Sequence, residues 1–170
     1  MLFNSFDFII FAIVVISLYW AIGSIPRCGH RLQNLFLLFA SYYFYAYWDY
    51  RFLSLLLIST ILDFVVGIKL ASAPTERWRK FWISVSVVGQ LGLLGTFKYL
   101  GFFINSAADL FIAMGFHPHW PTLQIILPVG ISFYTFQSMS YTVDVYRRKI
   151  GPTRDLLDFA LFVAFFPQLM

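Results

Sequence analysis

LPVGISFYTFQSMSYTVDVYRRK, residues Leu127 to Lys149, decides how the chain is read. It opens with Pro128 and Gly130 and runs through an apolar span that carries Ser132, Tyr134, Thr135, Gln137, Ser138, Ser140 and Tyr141. It closes on Asp144 and the basic trio Arg147, Arg148 and Lys149. A helix that touches only lipid has no use for these groups, because each unpaired polar group in hydrocarbon costs roughly 2 kcal/mol or more. The stretch therefore reads as a membrane helix that faces protein or a wet cavity. On a helix Gln137, Tyr141 and Asp144 fall at i, i+4 and i+7, and Tyr134 lies three residues before Gln137, so the four share one stripe flanked by Thr135 and Ser140. That stripe is the candidate wall of a substrate tunnel. The competing role is hydrogen bonding between helices without substrate contact.

Composition sets the surroundings. Of 170 residues 60% are hydrophobic, 21% aromatic and only 12% charged, where roughly 25% charged is usual in soluble domains. The chain reads as an all-α, polytopic membrane protein. Its net charge of +4 comes from short basic clusters between apolar spans, which topology explains and nucleic acid does not. Cys28 has no second cysteine to pair with, and no metal set is apparent: His117 and His119 flank Pro118 without a third ligand and read as a solvated loop.

Working outward, about five spans are expected, with interfacial and re-entrant helices besides. Phe6 to Gly23 is the first; the rival reading, a signal peptide, is disfavoured by Asp7 where such a leader wants positive charge. Leu32 to Trp48 is the second, ending in Tyr42, Tyr43, Tyr45, Tyr47, Trp48 and Tyr50. These read as an aromatic belt at a water boundary, with substrate stacking the alternative. Asp49 and Arg51 make a turn, and Phe52 to Ala71 is the third span, with Asp63 near mid-membrane. An ionisable residue at that depth is a functional candidate, and otherwise a structural carboxylate bonded to a neighbouring helix. The basic segment Ala73 to Lys80 precedes a fourth span, Phe81 to Asn105. There Gly89, Gly92 and Gly95 would allow close helix approach, and Lys98 would snorkel to the far interface. Ala107 to Met114 is expected as a short interfacial helix ended by Gly115. Leu156 to Met170, short for a crossing, is expected to be re-entrant or interfacial. Lys and Arg alternate between loops so that the positive-inside rule puts the N-terminus outside.

LPVGISFYTFQSMSYTVDVYRRKI followed by DFALFVAFFPQLM, with FYAYWDYRFLSLLLISTILDFVVG and FKYLGFF, resembles the membrane-bound O-acyltransferase (MBOAT) family. The likeness is to its bacterial branch, which holds alginate O-acetyltransferase and the D-alanyl transfer protein of teichoic acid synthesis. The resemblance implies that residues 1–170 are the N-terminal portion of one membrane domain in the bacterial inner membrane. It implies acyl transfer, commonly of acetyl, from a cytoplasmic-side donor such as acetyl-CoA or a carrier-bound acyl group to an exported polysaccharide such as alginate. A separate periplasmic acetyltransferase is the expected partner, and no bound cofactor is expected. Family members continue past FFPQL and carry the catalytic histidine downstream, so no catalytic residue is expected here, and His30, His117 and His119 do not inherit the role. Residues 1–170 alone are expected to be inactive. Two other classes compete: a transporter or channel subunit, which intramembrane polar residues also mark, and an inactive scaffold.

Overall fold

A computed structural model describes residues 6–24, 30–114 and 130–168. Five helices follow in order: α1 (Phe6–Gly23), α2 (His30–Ser72), α3 (Glu76–Ala113), α4 (Ile131–Tyr146) and α5 (Leu156–Ala164). A 3₁₀ turn, Phe166–Gln168, ends the series, and no strand occurs among the described residues. Phe6–Gly23, Tyr50–Ser72 and Glu76–Tyr99 are long and apolar enough to cross a membrane. The first part of α2 and α4 run beside them.

The 43 residues of α2 are helical throughout, but the axis folds back. Asn34 donates to Asp158 at 2.8 Å, and the next residue, Phe159, stacks on Phe64 at 5.9 Å. A straight helix would hold Asn34 and Phe64 about 45 Å apart at 1.5 Å per residue, too far for two adjacent side chains to bridge. The two limbs therefore lie antiparallel, with the reversal around Trp48 to Arg51. The expected second and third spans are these limbs. The turn expected at Asp49 and Arg51 is present as a change of direction, not as a loop, because no glycine or proline interrupts residues 30–66 to release the backbone from helix.

α1 runs antiparallel along the first limb. Gln33 Nε2 donates to the Tyr19 carbonyl at 3.2 Å near one end, and Phe11 stacks on Phe44 at 5.8 Å near the other. The second limb, α3 and α4 form a three-helix core in which Leu56, Val66, Leu70, Leu94, Tyr134, Tyr141 and Val145 are buried, and α5 adds Phe159 and Val163. Van der Waals packing of this kind drives helix association where lipid removes the hydrophobic advantage. Gly67 permits the closest approach: a Cβ there would lie 2.8 Å from the Tyr141 hydroxyl. Gly89 meets Leu62 in the same way, whereas Gly92 and Gly95 have nothing within 4 Å, so only the first of the three expected contact glycines serves.

Local chemistry sets the helix ends. Thr75 caps α3 and Asp155 caps α5, its Oδ1 accepting from Leu157 N at 3.0 Å, each cap worth about 1 kcal/mol. Gly130 takes φ 75° at the start of α4, a left-handed conformation that glycine adopts without strain; Pro128, expected to help shape this start, lies outside the described residues. The C-terminus of α4 is a Schellman turn, with Arg148 N bonded to Val145 O at 3.1 Å and Lys149 N to Asp144 O at 3.0 Å. Its left-handed position, normally glycine, is filled by Arg148 at φ 60°, at a cost of about 1 kcal/mol.

Two expectations are corrected. α3 continues unbroken to Ala113, so there is no separate interfacial helix from Ala107 and no end at Asn105; proline is absent between Pro74 and Pro118, and nothing there breaks the helix. Tyr45, expected in the aromatic belt, turns inward and is buried against Tyr134, with ring centroids 6.3 Å apart. Tyr43, Tyr47 and Tyr50 are exposed around the α2 reversal as the belt requires. The nine residues of α5 rise about 13 Å, too little to cross a membrane. Cys28, His117 and His119 lie outside the described residues.

Candidate functional site

Helical periodicity gives α4 two polar faces. Thr135, Ser138 and Thr142 point toward α2 and α3 and are fully buried, while Gln137, Ser140 and Asp144 turn toward α5 and are partly exposed.

The first face completes a network that joins three helices. Each helix contributes an i, i+4 pair, the spacing that places two side chains on one stripe: Ser59 and Asp63 on α2, Ser86 and Gln90 on α3, Ser138 and Thr142 on α4. All six are buried. Ser86 Oγ donates to Asp63 Oδ1 at 2.6 Å and Gln90 Nε2 to Asp63 Oδ2 at 2.7 Å. Gln90 Nε2 also lies 3.1 Å from Ser138 Oγ, and its Oε1 accepts from Ser59 Oγ at 2.9 Å. Thr142 Oγ1 is 2.9 Å from Ser86 Oγ and donates to the Met139 carbonyl of its own helix at 2.9 Å. No basic side chain forms an ion pair with Asp63 among the described residues. Asp63 is thus held by neutral donors.

The second face holds the predicted stripe, and the structure divides it. Tyr134 is 1% exposed and packs in the core, too deep to line a cavity. Gln137 Nε2 donates to the Phe162 carbonyl at 2.6 Å and to Gln168 Oε1 at 3.3 Å, tying α4 to the end of α5. The Tyr141 hydroxyl accepts from Thr153 N at 2.9 Å and anchors the turn that follows α4. Asp144 makes a loose pair with Lys149 at 3.9 Å. Tyr141 and Asp144, with Ser140, Asp158, Phe159 and Phe162, line a cavity of about 400 Å³ between α4, α5 and the turn at Ile150 to Thr153. Asp63 lies in the separate network described above and does not line this cavity.

The floor of this region is tied down by charge. Arg79, buried at the start of α3, donates to the carbonyls of Leu70 at 3.1 Å and Tyr146 at 2.5 Å, and its guanidinium stacks on the Tyr146 ring at 5.5 Å. Both carbonyls are among the last of their helices and have no partner within them, so one cation meets the negative ends of two helix dipoles. Arg31 bonds Asp155 at 2.8 Å, and this guanidinium holds the Asp155 carboxyl below its ordinary range. Among the described residues no group of three His, Cys, Asp or Glu could hold a metal ion.

Of the four stripe residues, Gln137, Tyr141 and Asp144 lie toward α5 and the turn before it while Tyr134 lies in the core; Asp63 is bonded to a neighbouring helix, as its structural alternative has it, but its partners were not named from the sequence. The signal was present in the three i, i+4 pairs, but a period within one helix does not say which neighbour it meets.

The chain is 41% identical over its whole length to the probable alginate O-acetylase AlgI of Pseudomonas aeruginosa. It is 43% identical over 84% of its length to the protein of the same name from Pseudomonas syringae pv. tomato. The chain belongs to the membrane-bound O-acyltransferase family. A more distant member, the peptidoglycan O-acetyltransferase of Helicobacter pylori, is 30% identical over 81% of the chain. The chain spans about a third of the length of these MBOAT relatives, 32%, 27% and 30% respectively. No family model matches it, and no solved structure does.

Proposed function

We propose that this MBOAT chain forms part of a membrane O-acetyltransferase that acts on an exported polysaccharide, and that its α4–α5 cavity lines the path of the acyl group or its acceptor. The observation that carries the reading is the match of the whole chain to alginate O-acetylases, whose substrate class it shares under this reading. The cavity supports it: Ser140, Tyr141 and Asp144 offer polar groups on one wall, and Phe159 and Phe162 supply apolar surface on the other, the mixture that orients a small substrate.

Acetyl transfer breaks the bond between acetyl and its donor, forms an ester to a sugar hydroxyl, and passes the hydroxyl proton to a base. Under this reading that base is a histidine outside residues 1–170. The residues here orient. The Tyr141 oxygen accepts from Thr153 N and keeps its own proton for an oxygen in the cavity, and the Asp144 carboxylate can accept from a hydroxyl. The reading includes a donor on the cytoplasmic side, the inner membrane and an outward N-terminus, the last supported by the basic residues gathered at one end, and a separate periplasmic transferase would complete delivery to the polymer.

In the intact protein, Gln137→Ala and Asp144→Asn should each lower acetyl content of the exported polysaccharide about tenfold or more, as loss of positioning does, with abundance unchanged on an immunoblot. Wild-type acetylation in both variants would remove the cavity from the path.

A further inference from the structure

A second cavity, about 450 Å³, lies behind the first and shares the wall Ile150–Gly151 with it. Arg79, Arg148 and Lys149 line it, and no acidic side chain is among its lining residues. Glu76 is the nearest acid to the arginines, 3.2 Å from Arg148 and 3.5 Å from Arg79, and Asp144 sits 3.9 Å from Lys149. One carboxylate shared by two arginines, and another held loosely by the lysine, leave the cavity positive.

Backbone strain adds an independent observation. Arg148 is the one non-glycine residue at positive φ among the described residues. The Schellman turn it occupies would form without strain around glycine. Its pair with Glu76 is exposed on both sides, at 73% and 63%, and such a pair contributes little, so the contact does not explain the arginine. A residue held in a sparsely populated conformation at the rim of a cavity points to use of its side chain there.

We propose that this cavity binds a phosphate group, with Arg148 and Lys149 as the mobile arms and Arg79 as the buried floor. Guanidinium donors match phosphate oxygens in a two-point geometry. The phosphate belongs either to an anionic phospholipid headgroup at the basic end of the bundle or to a soluble phosphorylated molecule. The site stands apart from acyl transfer, because binding and not turnover reads it.

The test uses the intact protein in detergent, with thermal midpoints followed during titration of inorganic pyrophosphate, of phosphatidylglycerol and of phosphatidylcholine. Wild type should show a saturable rise with pyrophosphate, with phosphatidylglycerol, or with both. Arg148→Gly relieves the turn, so its ligand-free midpoint should equal or exceed wild type while half-saturation moves to about tenfold higher ligand; Lys149→Gln should move the same way. A rise with phosphatidylglycerol alone identifies a lipid headgroup, and a rise with pyrophosphate identifies a soluble phosphate. No rise in wild type with either, or an Arg148→Gly curve that overlays wild type, would overturn the site.

Discussion

Asp63 ties the second limb of α2 to α3 through both of its carboxylate oxygens. Its two oxygens receive Ser86 at 2.6 Å and Gln90 at 2.7 Å, and removing it strands both donors, at about 1–3 kcal/mol each. Asp63→Leu should therefore destabilise the protein by about 3 kcal/mol or more. Asp63→Asn is different, since its amide can donate to Ser86 while its oxygen still accepts from Gln90. Its stability should stay within about 1 kcal/mol of wild type, read from denaturation in detergent. Stable Asp63→Asn protein with lost acetylation would show instead that the charge itself is used. The residue was conspicuous in the sequence because a carboxylate near mid-membrane is rare. Ser59 and Ser86 were not, because a serine in an apolar span can bond its own helix as readily as a neighbour's. Tyr134 was misplaced for a related reason: periodicity put it on the stripe, but packing against Tyr45 took its ring into the core.

At the scale of elements, the reversal of α2 governs the arrangement. Spin labels at the exposed positions Leu35 and Val65 should give a distance well under half of the roughly 45 Å that a straight helix imposes. A dipolar spectrum centred near the straight-helix value would refute the folded-back axis. The reversal was legible in the sequence from Asp49 and Arg51 between aromatic-rich runs. That it happens without leaving helix was not, since turn signals in sequence are mostly glycine and proline, and residues 30–66 contain neither. The same reasoning explains α3, where weakening hydropathy after Asn105 suggested a break that no residue enforces.

For the whole molecule, the helix directions collect charge at one end. Contacts of Arg31 with Asp155, Arg79 with Tyr146 and Arg148 with Glu76 place those basic residues, with neighbouring Lys69, Arg77, Lys80, Arg147 and Lys149, around the same end. Lys98, bonded to Ser132 at 3.4 Å, and Arg51 lie toward the other. The positive-inside rule then predicts that this end faces the cytoplasm. With Cys28 replaced by serine, a cysteine at Met114 should react with an impermeant thiol reagent added to intact cells and a cysteine at Thr75 should not. The opposite pattern would invert the bundle. The buried network has a further bearing on how the chain is made. Synthesis delivers Ser59 and Asp63 first, then Ser86 and Gln90, and only later Ser138 and Thr142. Chains fold N-terminal parts first, and unpaired polar groups are costly in lipid. Pairing the second limb of α2 with α3 satisfies Asp63 before α4 exists, and α4 arrives as the piece that completes the network.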